Sequence, residues 1–90
     1  MARMIYALPF LQDLSALDER REELVWEKLG LVEAFPGVGS SLVEPSLARP
    51  FGGAILKVSA AGYDILYERS GGPDNETVHV LGLVPQRAVR

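Results

Sequence analysis

The sequence contains no cysteine and a single histidine, His79. Without thiols there is no disulfide, no thiolate nucleophile and no cysteine-bound zinc, and one imidazole cannot build a histidine metal cluster. Gly37-Val38-Gly39-Ser40 is too short for a phosphate-binding loop and lacks its lysine. No metal or other cofactor is therefore expected. Every apolar run falls well short of the roughly 20 residues a membrane span needs. The opening MARMIYALPF does not follow the plan of a signal peptide, so a cytoplasmic chain with no membrane partner is expected. Repeats, low-complexity tracts and linkers are also missing. Ninety residues leave no room for a second domain, and the expectation is one domain over 1–90.

What is present is globular in character. Hydrophobic residues make up 48% and charged residues 23%, far from the signature of disorder. A chain this short buries only about two-thirds of its unfolded surface, so a binding partner would add usefully to a thin margin of stability. The formal net charge of −3 argues against a general nucleic-acid binder held by phosphate neutralisation. The charge is unevenly spread. Basic residues of the first 45 positions are Arg3, Arg20, Arg21 and Lys28 against eight acids; the remainder holds Arg49, Lys57, Arg69, Arg87 and Arg90 against four. Any anion-binding surface therefore belongs to the second half, unless the split only decorates a solvated surface. The carboxylates Glu19, Glu22 and Glu23 read as solvation of a helix.

Arg3 to Leu8 is short and apolar and meets Pro9, which suits a strand followed by the first turn of a helix. Phe10, Leu11, Leu14 and Leu17 share one helical face. Asp18 is placed to cap a second helix, with Glu19 and Glu22 near its positive dipole end. Leu24, Val25, Leu29, Leu31, Val32 and Phe35 form its apolar stripe, and Pro36-Gly37 stops it. Trp26 falls off that stripe, either packing at its edge or awaiting a partner. A long loop is expected over 37–53, followed by strands at Ala54–Ser59, Tyr63–Arg69 and Thr77–Val84, joined by Ala60-Ala61-Gly62 and by the loop 70–76. The fold expected is α+β: an N-terminal strand, a helical hairpin, and a three-strand antiparallel meander, all four strands joining one twisted sheet with the helices on one face. If an even-numbered loop closes at Ala60-Ala61, Lys57 and Asp64 face each other across the strands as an exposed ion pair; a bulge at Gly62 would dissolve it. Tyr63 and Tyr67 share a face suited to packing.

The second half, through Leu47-Ala48-Arg49-Pro50-Phe51-Gly52-Gly53, Ile55-Leu56-Lys57-Val58, Gly62-Tyr63-Asp64-Ile65-Leu66-Tyr67-Glu68 and Val78-His79-Val80-Leu81-Gly82-Leu83-Val84-Pro85-Gln86-Arg87, resembles the RelE/ParE superfamily of toxins from bacterial toxin–antitoxin pairs. The resemblance implies a four-stranded antiparallel sheet flanked by the helical hairpin, and an antitoxin partner that wraps the toxin. Members of the family differ in target: some cut messenger RNA on the ribosome, others poison DNA gyrase. The RNA-cleaving members carry an arginine after Gly-Tyr, suited to holding the scissile phosphate; here that position is Asp64, which repels phosphate. Their late tyrosine is also missing, and only Arg87 and Arg90 remain at the end.

Three functions follow from the resemblance. A ParE-like toxin would bind its target through an interface, with Arg49, Asp64, His79, Arg87 and Arg90 as the candidate target-binding residues. A ribosome-dependent nuclease would set Lys57 and Arg87 as its catalytic candidates, with Arg49, around a phosphate, and His79 or water moving the proton. A non-toxic interaction module would keep only association with the antitoxin, or a homodimer formed through the helices or an open sheet edge. Each singled-out residue also has a plain structural reading: His79 as an ordinary sheet residue, Arg87 as a surface arginine, Lys57 as half of an ion pair.

Overall fold

The computed structural model describes residues 1–41, 43 and 55–88. Strand β1 (Arg3–Tyr6) leads into helices α1 (Leu8–Ser15) and α2 (Glu19–Ala34), then a short 3-10 turn at Pro36–Val38, and strands β2 (Leu56–Ala60), β3 (Tyr63–Ser70) and β4 (Thr77–Pro85), ending in a 3-10 turn at Gln86–Ala88. Asp18 caps α2 as expected, its carboxylate accepting the Arg21 N–H at 2.8 Å. Glu19 and Glu22 occupy the first turn of α2, where its dipole favours negative charge. The apolar faces are narrower than the sequence suggests. Phe10 and Leu14 of α1 are buried and Leu17 packs against the core, while Leu11 is exposed; on α2, Val25, Leu29 and Val32 are buried, whereas Leu31 and Phe35 face solvent. The spacing i, i+4, i+7 fits one side of a helix resting on a sheet, and the residues flanking it turn away. Trp26 packs at the edge of this stripe, meeting the Tyr6 and Phe10 rings edge-on at 5.3 and 6.5 Å between centroids.

The four strands form one sheet in the order β1-β4-β3-β2, giving the α+β arrangement expected. It is mixed, not antiparallel throughout as the resemblance implied: β1 runs parallel to β4, with Arg3 opposite Thr77 and Tyr6 opposite Val80. The two helices carry the chain from one edge of the sheet to the other, so that β2 starts in the same direction as β1; β4, two antiparallel steps on, then meets β1 parallel. The main core lies between helices and sheet, where Phe10, Leu14, Val25, Leu29 and Val32 pack on Val58, Ile65, Tyr67, Val78, Val80 and Leu83. A smaller cluster, Ile55, Leu66 and Leu81 with Val43 and Val84, occupies the opposite sheet face.

Two local devices set the register. Ala61 and Gly62 form a two-residue hairpin turn with φ of 55° and 83°, a geometry that matches the twist of paired strands but strains alanine. The turn therefore closes on Ala60 and Tyr63, one residue later than an Ala60-Ala61 loop would. No bulge forms at Gly62. The irregularity is in β4, where Leu66 pairs with Gly82 and Tyr67 with Val80, leaving Leu81 as an extra residue. That insertion resets the alternation, so that Val80 and Leu83 both enter the main core while Leu81 joins the smaller cluster. None of the helices among the described residues is long and apolar enough to cross a membrane.

Candidate functional site

The sheet face opposite the helices gathers Lys57, Asp64 and His79, three of the six candidate residues singled out in the sequence. Because side chains alternate along a strand, Lys57 and Ser59 of β2, Asp64 and Glu68 of β3, and His79 of β4 point away from the helical layer while Val58, Ile65, Tyr67, Val78 and Val80 point into it. The delayed hairpin places Ser59, not Lys57, directly across from Asp64, and Lys57 opposite Leu66. Lys57 is consequently the diagonal neighbour of Asp64, within reach of a long side chain, and the ammonium lies 3.8 Å from Asp64 Oδ2. The pair is not the exposed one expected. Asp64 is buried, with 6% of its side chain accessible, and Lys57 retains 28%.

The other Asp64 oxygen is held by two donors. Ser59 Oγ donates to Oδ1 at 2.9 Å and Gln86 Nε2 at 3.2 Å, while Gln86 Nε2 also lies 3.1 Å from Ser59 Oγ. Gln86 is anchored by its own backbone N–H, which donates to the Gly62 carbonyl at 3.0 Å. Asp64 thus ties β2, β3 and the C-terminal turn into one polar cluster. Further along the same face Glu68 pairs directly with His79, Oε1 to Nδ1 at 3.4 Å.

Lys57 is fixed through its backbone as well. Ser40 exchanges both hydrogen bonds with it across the outer edge of β2, at 2.8 and 2.9 Å. Ser40 is held in place from the core: the Tyr67 hydroxyl accepts the Gly39 N–H at 2.9 Å and donates to the Pro36 carbonyl at 2.8 Å. Burial pushes the Tyr67 hydroxyl pKa above its ordinary value. At the far end of the meander, Arg69 Nε donates to Glu76 Oε2 and closes the β3–β4 connection.

Of the sequence candidates, the structure brings Lys57 and Asp64 together, sets His79 against Glu68 on the same face, and places Arg87 in the terminal turn, where it lines a cleft of about 370 Å³ with Arg21, Tyr63 and Gln86. Arg49 and Arg90 lie outside the described residues. Ser59, Gln86 and Glu68 were not singled out by sequence; their places follow from the register of the hairpin and of the β3–β4 ladder. Chemically, the described polar residues of this face offer one ammonium and one imidazole against two carboxylates. A phosphate approaching it would find the lysine already engaged. Among the described residues no group of three or more His, Asp or Glu side chains is placed to hold a metal ion.

This topology is the RelE/ParE-like toxin fold. Among solved structures the chain is similar to one in the intact E. coli RelBE toxin–antitoxin complex, with a TM-score of 0.70 at 16% identity over 94% of this chain and 96% of that one. It is also similar to the YoeB/ParE toxin from Agrobacterium tumefaciens, with a TM-score of 0.65 at 15% identity over 91% and 95%. No family model and no curated protein matches the sequence.

Proposed function

We propose that this chain is the toxin of a bacterial toxin–antitoxin pair, that it arrests growth in the ParE-like manner by binding a target such as DNA gyrase, and that a cognate antitoxin neutralises it. The fold it shares with the RelBE complex and with the YoeB/ParE toxin supports the toxin and antitoxin part of this reading. The observation that carries the choice of mechanism is Asp64. It stands where the RNA-cleaving members of the resembling family have an arginine, it is buried, and it draws Lys57 to 3.8 Å. Cleavage of a phosphodiester needs positive charge free to stabilise the phosphorane-like transition state. Here the charge is spent internally. A toxin that works by surface complementarity has no such requirement, and the Asp64–Ser59–Gln86 cluster would serve to hold its sheet face and C-terminal turn in one shape.

Expression of the intact chain in bacteria is expected to arrest growth with induction of the DNA-damage response, relieved by co-expression of the small protein encoded beside its gene. Normal growth with confirmed accumulation of folded protein would overturn the reading.

A further inference from the structure

Helix α2 has two unlike flanks, one on each side of its buried stripe. Arg21, Leu24, Lys28 and Leu31 stand on one, facing the hairpin end of the sheet. The other carries Glu19, Glu22, Glu23, Gly30 and Glu33, all within about a sixth of a turn of the line through Trp26. No lysine or arginine of α2 shares this second flank. Arg20 lies about a third of a turn from Trp26, and Arg21 and Lys28 lie further round still.

Trp26 is the chain's single tryptophan and stays 39% accessible. Its ring stands at 85° to that of Tyr6, with 5.3 Å between centroids, and Phe10 backs the Tyr6 ring, stacked at 6.0 Å and 22°. The two rings make a right-angled corner on a rigid base. Neither the Tyr6 hydroxyl nor the Trp26 indole N–H has a hydrogen-bond partner among the described residues. Tyrosine and tryptophan with an apolar body and an unspent polar handle are the side chains that protein interfaces favour. Burial, and after it the Glu33 carboxylate, raises the Tyr6 hydroxyl pKa, which puts Glu33 at the corner itself. Glu22 stands one turn before Trp26 on the same flank.

We propose that the Tyr6–Trp26 corner receives an arginine or lysine side chain from a basic segment of the target protein, its cation lying against the indole and its N–H groups reaching Glu22 and Glu33. The proposal rests on the target-binding reading and deepens it by assigning the surface and the chemistry of the partner. Charge selects the occupant. The ion pairs of the described residues are Lys57–Asp64, Arg69–Glu76 and His79–Glu68, all within the sheet and its connections, so the carboxylates of this flank are left for a partner to neutralise. A cation over an indole is held by the ring as well as by the carboxylates. A phosphate backbone or an anionic membrane surface would be repelled.

The test uses the full chain, with Trp26 emission as the local probe and a short arginine-rich peptide free of tryptophan as the ligand. Glu22→Gln/Glu33→Gln removes the two carboxylates without truncating a packed side chain, and Glu27→Gln/Asp74→Asn removes the same charge elsewhere. The expected result is a saturable change in Trp26 emission, at least tenfold weaker binding by Glu22→Gln/Glu33→Gln, and little change in the control variant. In cells, Glu22→Gln/Glu33→Gln is expected to lose growth arrest while still binding the small protein encoded beside the gene, and the control to keep it. Equal weakening in both variants would reduce the effect to net charge and overturn the site. Full growth arrest by Glu22→Gln/Glu33→Gln would overturn the assignment to the target. Loss of binding to the adjacent small protein in that variant would give the surface to the antitoxin and overturn the proposal while leaving the toxin reading intact. Failure of the parent to arrest growth would overturn both.

Discussion

Lys57 and Asp64 meet diagonally across the β2–β3 hairpin at 3.8 Å, with Ser59 in the position directly opposite the carboxylate. This relationship follows from where the chain turns. A two-residue turn at Ala61-Gly62 fixes the closing pair as Ala60 and Tyr63, and every partner further along is then determined. Removal of the carboxylate strands a lysine and two neutral donors together. Asp64→Ala is expected to destabilise the fold by about 1–3 kcal/mol, below the cost for a fully buried pair because Lys57 is partly solvated. Asp64→Asn, which keeps an acceptor for Ser59 and Gln86, is expected to cost about half as much. Urea unfolding of both variants measures the difference.

The Tyr67 hydroxyl occupies the space in which a side chain at Gly39 would have to sit. Tyr67 is fully buried in the main core, so its ring cannot yield cheaply. Gly39→Ala is expected to cost about 1–3 kcal/mol. Tyr67→Phe removes the nearest of the crowding atoms but not the ring carbons beside it, and it leaves the Gly39 N–H and the Pro36 carbonyl without their partner, at about 1–2 kcal/mol. In the double variant the two penalties should sum to less than their separate values, because the atom that meets the methyl most closely is gone, while the ring carbons that still crowd it keep part of the Gly39→Ala cost. A double-mutant cycle of chemical unfolding reads this coupling.

Tyr67 also sets an alkaline limit. Burial raises its pKa in the folded chain above the ordinary value of 10.0. The unfolded chain then releases this proton at lower pH than the folded chain does. Between the two values the unfolded state binds fewer protons, so stability is complete below about pH 10 and falls as pH rises through the folded-state pKa. Tyr6 is shifted in the same direction, first by burial and then by Glu33, and adds to the effect. Unfolding midpoints at pH 9 and pH 11 should differ markedly in the parent and less in Tyr67→Phe.

Ala61 holds a left-handed conformation that costs an L-residue about 1–2 kcal/mol. Asparagine tolerates this region and is favoured before glycine in such turns. Ala61→Asn is expected to stabilise the chain by about 0.5–1 kcal/mol without altering the Lys57–Asp64 pairing, a gain visible as a higher thermal midpoint.

The parts of the fold legible in the sequence are those governed by local rules. Asp18 announces α2 through its capping chemistry, Pro36-Gly37 ends that helix, and the β-branched and aromatic runs mark the three strands of the meander to within two residues. The parallel pairing of β1 with β4 depends on contacts more than 70 residues apart and leaves no local trace. The extra residue at Leu81 is equally silent, since Val80, Leu81 and Leu83 are all apolar and satisfy either phase of alternation. At the candidate site, opposite signs at positions 57 and 64 were enough to suggest an ion pair. The depth of Asp64 was not, because it depends on Gln86 returning beneath the hairpin from 22 residues away. Tyr67 likewise reads as a packing residue until the Pro36–Gly39 segment is seen folded onto its hydroxyl.

The central claim is that Asp64 and Lys57 cancel on the sheet face where a ribonuclease would hold its phosphate. Primer extension on a message under active translation, with and without the purified protein, tests it most directly. The account predicts no new 5′ ends, at protein concentrations that follow from growth arrest in cells. Cleavage within translated codons, abolished by Lys57→Ala and by Arg87→Ala, would contradict it.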